Sequence, residues 1–226
     1  MALTWKVVLV VDAPHGDNLK QGIKALSQVG FEEVHVFCTR RVKVPSSPQL
    51  IRHRVEKDSE LELWRETIES LANMPSTTDL FFITTPDLEF WEHIRTFAEA
   101  TIEPEFCGIY LPYTPPVLWR DDTHRPLACR GEFGWCEQLV EGMTEADQCL
   151  IMNKRTLSLL SYYLHQRTWD NTSWSAVFSD CVGRIHKLPV FFSKTSLARH
   201  IKSEDTLEVK PSNFCPESAE DTNFYL

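Results

Sequence analysis

Lys6 to Val11 (KVVLVV) is apolar without alternation and rich in β-branched residues, which predicts a strand buried on both faces. It breaks at Asp12-Ala-Pro-His-Gly-Asp, a loop sequence. Asp17 is placed to cap a helix in which Leu19, Ile23 and Leu26 share one side, and Gly30 stops it. Glu33 to Cys38 alternates as a second strand, and the stretch from Arg40 to Lys57 reads as a basic loop kept irregular by Pro45 and Pro48. Ser59 to Asn73 predicts an amphipathic helix with Ser59 as its cap and Leu61, Trp64, Ile68 and Leu71 on one stripe. Asp79 to Thr84 is a third buried strand. Pro86 opens another helix carrying Phe90, Ile94 and Phe97, and Phe106 to Leu111 is a fourth strand.

Regular alternation of strand and helix predicts an α/β fold with a mostly parallel, doubly wound central sheet flanked by helices. Such sheets bind ligands beyond the carboxyl ends of their strands, where the loops at Asp12, Arg40 and Thr84–Asp87 fall.

The second half changes character. Pro112 to Gly134 holds four prolines, two glycines and many charges, and reads as a long exposed loop of the kind that carries function. Gln148 to Met152 is a further strand. Asn153 caps a helix bearing Leu157, Leu160 and Leu164, a helix follows over Ser175 to Val182, and Leu188 to Phe192 is the last strand. From Lys202 the chain is polar and acidic, which predicts a mobile tail.

Composition narrows the classes. The chain has 226 residues and is 42% hydrophobic, ordinary for one large globular domain. It contains no apolar run long enough to span a bilayer, and its first strand does not end in a small-residue cleavage site, so the expectation is a cytoplasmic protein without a membrane span. The seven cysteines are scattered without a CxxC pair, so buried free thiols are expected, with neither disulfides nor structural zinc. A net charge of −9 disfavours indiscriminate nucleic-acid binding. Against that background Arg40, Arg41, Lys43, Arg52, Arg54 and Lys57 crowd into one stretch, either a solvated loop or a surface that faces phosphate. The chain has no G-x-G-x-x-G, P-loop, H-E-x-x-H or G-x-S-x-G, so the chemistry tied to those motifs lacks support.

Several segments, in order, resemble the short GT-A glycosyltransferases of bacteria and phages. They are the first strand and its loop, Val29-Gly30-Phe31, the run LWRETIESLANMPSTTDLFFIT, and GIYLPYTPP from Gly108 to Pro116. Gly134-Trp135, QCLIMNKRTLSLL, the Asp180-x-x-Gly183 spacing and the ending TSLARHIKSED complete the set. The resemblance implies a GT-A-like domain over residues 1–205, with 1–111 as the nucleotide-sugar-binding half and 112–205 as an additional α+β acceptor and catalytic half, followed by an acidic tail over 206–226. It implies a nucleotide-sugar donor, a UDP-sugar such as UDP-glucose, and a hydroxyl acceptor on a glycan or a hydroxymethylated DNA base.

The resemblance also implies roles. Val10, Val11 and Asp12 hold the nucleoside, with Arg40, Arg41 and Lys202 toward the diphosphate. The family's paired metal-binding aspartates fall at Thr84 to Asp87, where adjacent carboxylates are missing. Asp87 and Glu89, with His200 from the carboxyl-terminal segment, are the set left for Mn²⁺ or Mg²⁺. The departing diphosphate needs its charge stabilised by such a metal or by cations, and an inverting transfer needs a carboxylate to take the acceptor proton. Asp180 is the first choice for that base and Asp170 the second. Tyr113, Trp119, Trp135, Trp169 and Trp174 are aromatic candidates for the acceptor, with core packing as the competing role. The altered metal motif leaves open a different class, a nucleotide- or carbohydrate-binding module without catalysis. A nucleotidyltransferase shares the sheet layout, but it would carry a glycine-rich basic loop after the first strand, which Asp12-Ala-Pro-His-Gly-Asp is not.

Overall fold

The computed structural model describes residues 3–12, 18–56, 59–75, 77–113, 128–130, 135–138, 148–166, 168–169, 173–185, 188–193 and 196–201. The continuous apolar run becomes β1 (Trp5–Val11), and its side chains divide between two cores as a strand buried on both faces requires. Val7, Leu9 and Val11 join one apolar cluster, and Val8 and Val10 join the other. The first cluster is closed by α1 (Leu19–Gln28) and α3 (Ile94–Thr101). The second is closed by α2 (Glu60–Asn73), α4 (Lys154–Leu164) and α5 (Trp174–Ser179). The result is three layers, helices on both sides of one sheet.

Local signals set the helix ends. Gly30 adopts φ 84°, and Phe31 N–H reaches Leu26 C=O at 3.1 Å while Gly30 N–H reaches Ser27 C=O at 3.1 Å, a Schellman stop to α1. Ser59 Oγ accepts from Glu62 N–H at 3.1 Å and Asn153 Oδ1 accepts from Thr156 N–H at 2.8 Å, so both expected caps are made. Ser173 caps α5 on Ala176 N–H. Asp17, the cap expected for α1, lies outside the described residues.

Among the described residues the sheet has nine strands in the order β3-β2-β1-β4-β9-β6-β10-β8-β7. They are β2 (Val34–Thr39), β3 (Leu50–Val55), β4 (Leu80–Thr84), β6 (Ile109–Leu111), β7 (Ala128–Arg130), β8 (Trp135–Gln138), β9 (Cys149–Asn153) and β10 (Val190–Ser193), with β1. Two of them, β9 and β8, run against the rest, so the sheet is mostly parallel. A separate pair joins β5 (Leu88–Phe90) to β11 (Ala198–His200), antiparallel.

Several expectations are corrected. The basic stretch is not all loop: LIRHRV is β3, a parallel edge strand whose exposed Arg52 and Arg54 disguise its alternation. The segment after Pro86 forms β5 before α3 starts, because β11 offers it a partner that local sequence does not reveal. The expected loop over Pro112 to Gly134 contains β7. The last helix gives way at Asp180 to a π-helical turn, Asp180–Ile185. Cys38, Cys149 and Cys181 are buried free thiols, as expected, whereas Cys107 is a free thiol that is only half-buried. No helix among the described residues is long and apolar enough to cross a membrane.

The β2–β3 edge holds an imidazole pair, His35 buried and His53 half-buried. His35 Nδ1 lies 2.9 Å from His53 Nε2, and His53 stacks on Phe37 at 4.2 Å between centroids. Burial first, then the positive charge of Lys6 and the facing His53, lowers the His35 pKa to about 4, although Glu33 acts the other way. His53 is lowered for the same main reason, burial, with Lys6 adding to it. An unfolded chain takes up the His35 proton near pH 6.5, whereas the folded chain refuses it down to about pH 4, so the unfolded state binds more protons between those values. Stability to urea is therefore expected to fall as pH drops from about 6.5 to about 4, and to do so less steeply in His35→Phe, as measured by unfolding midpoints across that window. Equal slopes in the two chains would remove His35 as the cause.

Candidate functional site

A cleft with about 430 Å³ of open space, mouth included, lies at the carboxyl ends of β1 and β4. Val10 and Asp12 come from the end of β1, and Thr85 and Asp87 come from the loop after β4. The first two turns of α2 contribute Glu60, Leu63 and Trp64, the residue before β9 contributes Gln148, and the first turn of α5 contributes Trp174 and Ser175. Trp64 and Trp174 stack with centroids 4.8 Å apart and planes 2° from parallel, both almost fully buried. This stack seats the start of α5 against α2 and fixes one wall of the cleft.

The opposite side is tied by a long-range clamp. β11 pairs with β5 so that His200 stands opposite Leu88 and Arg199 opposite Glu89. Ile201 N–H donates to Asp87 C=O at 2.7 Å and Trp91 N–H to Leu197 C=O at 3.0 Å, extending the ladder at both ends. His200 Nδ1 thereby comes within 3.1 Å of Asp87 Oδ2, and the Tyr113 ring packs edge-on against His200 at 5.1 Å. Glu89 forms an ion pair with Arg199.

The candidate residues thus separate. Val10, Asp12, Asp87 and Trp174 share the cleft, and His200 and Tyr113 adjoin it through Asp87. Val11 is fully buried in the other core, facing away from the cleft. Arg40 and Arg41 are exposed on the turn after β2 and do not line the cleft, and Arg40 is paired with Glu56 at 2.7 Å. Trp135 is 3% exposed, packs on Phe97 and Tyr110, and donates its indole N–H to Thr101 Oγ1 at 2.8 Å. It belongs to the core on the α1/α3 side, away from the α2/α5 wall of the cleft. Trp169 donates its indole N–H to Leu164 C=O and packs on the α2/α4 core. Asp180 is the C-cap of α5, about 9 Å along the axis from Trp174 at the helical rise, and is not among the cleft residues. Asp170, Trp119 and Lys202 lie outside the described residues.

The lining contains three carboxylates, Asp12, Glu60 and Asp87, and neither lysine nor arginine. A bare diphosphate would be repelled there. Asp87 and His200 are the metal-donor side chains brought together, with Glu89 held by Arg199, and no group of three His, Cys, Asp or Glu side chains among the described residues forms a metal shell. One carboxylate and one imidazole suit an ion that completes its shell with ligand phosphates and water.

No family model and no curated protein sequence matches this chain. Solved structures do resemble it. The T. maritima inositol-1-phosphate CTP transferase superposes with a TM-score of 0.51 at 15% identity, over 92% of this chain and 93% of that one. A Drosophila β-1,4-galactosyltransferase 7 variant, crystallised with manganese, UDP-Gal and xylobiose, gives 0.48 at 10% identity over 92% and 77%. The galactosyltransferase LgtC, in complex with donor and acceptor sugar analogues, gives 0.47 at 8% identity over 83% and 72%. The architecture is GT-A-like.

Within this GT-A-like sheet, sequence reasoning missed Glu60, Thr85, Gln148 and Ser175 as cleft residues. Glu60 is the first residue of a helix whose cap was legible, so its place at the strand ends was within reach. Thr85 and Gln148 are neutral and sit in no motif that would single them out.

The loop bearing Thr85 and Asp87 is itself held close to α1. A Cβ built on Gly22 would lie 2.7 Å from both Cα and the carbonyl oxygen of Pro86, with backbone on the receiving side. Gly22→Ala is therefore expected to destabilise the fold by about 1–3 kcal/mol, through overpacking that outweighs the alanine's helix propensity. Urea unfolding checks this, and unchanged or increased stability would show that the Pro86 loop yields freely.

Proposed function

We propose that this protein is a glycosyltransferase that binds a nucleotide-sugar in the β1/β4 cleft and transfers the sugar to a hydroxyl acceptor. The observation that carries the reading is the convergence of Asp12, at the end of β1, with the Asp87–His200 pair, at the end of β4. Charge supports it: a cleft whose charged lining residues are all carboxylates holds a diphosphate only when a divalent ion accompanies it. Asp87 and His200 would hold that ion, Mn²⁺ or Mg²⁺, and its chemistry when bound is to neutralise the departing diphosphate. Among the neighbouring folds, one was crystallised with manganese and UDP-Gal, another with donor and acceptor sugar analogues, and a third is a CTP transferase.

In this reading Asp12 orients the nucleoside, and the Trp64–Trp174 stack keeps the α5 wall fixed so that donor and acceptor meet in one geometry. Asp180 does not line the cleft, which leaves Asp170, outside the described residues, as the candidate for the base that takes the acceptor proton. Tyr113 supports the His200 ring. We take the donor as a UDP-sugar and the acceptor as a glycan hydroxyl, with a hydroxymethylated DNA base as the acceptor that the exposed Arg40, Arg41, Arg52 and Arg54 would suit.

Incubation with UDP-glucose and Mn²⁺, with UDP release as the readout, tests this. Wild-type protein is expected to release UDP, and Asp87→Asn and Asp170→Asn to lose about 100-fold or more while keeping the wild-type melting temperature. Asp180→Asn is expected to stay near wild type. Tight UDP-sugar binding without turnover on any acceptor would move the protein to the class of non-catalytic binding modules. Absence of any nucleotide-sugar binding would sink the proposal.

A further inference from the structure

Thr85 and Gln148 face one another across the β4–β9 ladder. Thr84 stands opposite Cys149, and at the next position Thr85 N–H donates to Gln148 C=O at 3.1 Å. Both side chains line the cleft. Thr85 Oγ1 and Gln148 Oε1 are buried, and neither has a hydrogen-bond partner among the described residues. An unpaired buried polar atom destabilises the free protein, and Val and Met would fill the same volumes without that cost.

The ligand that satisfies this pair can be deduced from the donors it must bring. Gln148 Oε1 only accepts, whereas Thr85 Oγ1 accepts and can donate its own proton. A phosphate or carboxylate offers acceptors alone and would also meet Asp12, Glu60 and Asp87. An apolar group would leave both oxygens unpaired. A hydroxyl donates one bond and accepts others, and two hydroxyls on adjacent carbons match two acceptors on directly opposed strand residues. We propose that Thr85 and Gln148 form a neutral subsite that reads adjacent hydroxyls of the bound nucleotide-sugar, an inference that rests on the transferase reading above. Those hydroxyls belong either to the ribose or to the transferred sugar.

Calorimetric titration of wild type, Thr85→Val and Gln148→Met with UDP, 2′-deoxy-UDP and UDP-glucose, each with Mn²⁺, tests the subsite. Each substitution is expected to weaken UDP-glucose binding about tenfold, the loss of one hydrogen bond to a buried acceptor. If the ribose is read, UDP weakens equally and wild type discriminates against 2′-deoxy-UDP. If the transferred sugar is read, UDP binding is unchanged in both variants. Thr85→Val is also expected to raise the melting temperature of the ligand-free protein, which a purely structural threonine would not do. Variants that bind all three ligands as tightly as wild type, or a lowered melting temperature in Thr85→Val, would overturn the subsite alone. Wild-type protein that binds none of the three overturns the nucleotide-sugar reading itself.

Discussion

Everything at the mouth of the cleft depends on the antiparallel pairing of β5 with β11, which joins residue 87 to residue 200. Closing a loop of that length costs conformational entropy that grows only slowly with length, so the contact is affordable if it buries enough. It does: Leu88, Leu197 and Ala198 are almost completely buried, and Leu197 N–H also reaches Pro112 C=O at 2.8 Å. The apolar residues anchor the ladder, and the polar ones, Asp87, Glu89, Arg199 and His200, are then displayed at its end. Neither Asp87 nor His200 needs to be stabilising on its own, because Leu197 and Leu88 hold the backbone that carries them.

The other wall of the cleft is set by a different interaction of the same kind. Trp64 and Trp174 come from helices far apart in sequence and stack with nearly parallel planes in the core. Full burial of two indoles contributes several kcal/mol by area, about 1.5–3 kcal/mol or more for each large side chain. That energy positions the beginning of α5 rather than its end. It puts Trp174 and Ser175 in the cleft lining and leaves Asp180 outside it. A helix presents its amino end to the site here, and Asp180 sits where the helix loosens into a π-helical turn.

What was legible in the sequence follows from how local each determinant is. β1 and β4 were readable because a strand covered on both faces must be apolar at every position, and α2 and α4 because their caps and stripes are written within one turn. β3 was not, because an edge strand may carry Arg52 and Arg54 without cost and so reads as loop. β5 was read as helix because its strand character is supplied by β11, more than a hundred residues away. Among aromatics the sequence could not separate Trp135 from Trp174: both are buried, and only the layer each one occupies decides which lies near the cleft. Asp12 and Asp87 were found since carboxylates at strand ends are conspicuous, whereas Thr85 and Gln148 are not.

Thr85 and Gln148 show why the less conspicuous residues matter. At many positions of this fold local and global preferences agree: caps are filled, apolar runs are buried, and the left-handed position is a glycine. Each unpaired buried oxygen costs about 1–3 kcal/mol, a substantial share of the about 5–15 kcal/mol that separates a typical domain from its unfolded state. His35 Nε2, Thr39 Oγ1, Trp91 Nε1 and Thr156 Oγ1 share such a deficit, but none of these residues lines the cleft, whereas Thr85 and Gln148 both do, between the ends of β4 and β9 and next to Asp87. Departures from consistency collect where a protein must meet a ligand, since a site already satisfied by its own side chains has nothing left to offer. On that argument the neutral oxygens say more about what enters the cleft than its three carboxylates do. Carboxylates stay hydrated at a surface and are tolerated without a ligand, whereas a buried hydroxyl and carbonyl that face a cleft gain their missing partner when a ligand enters.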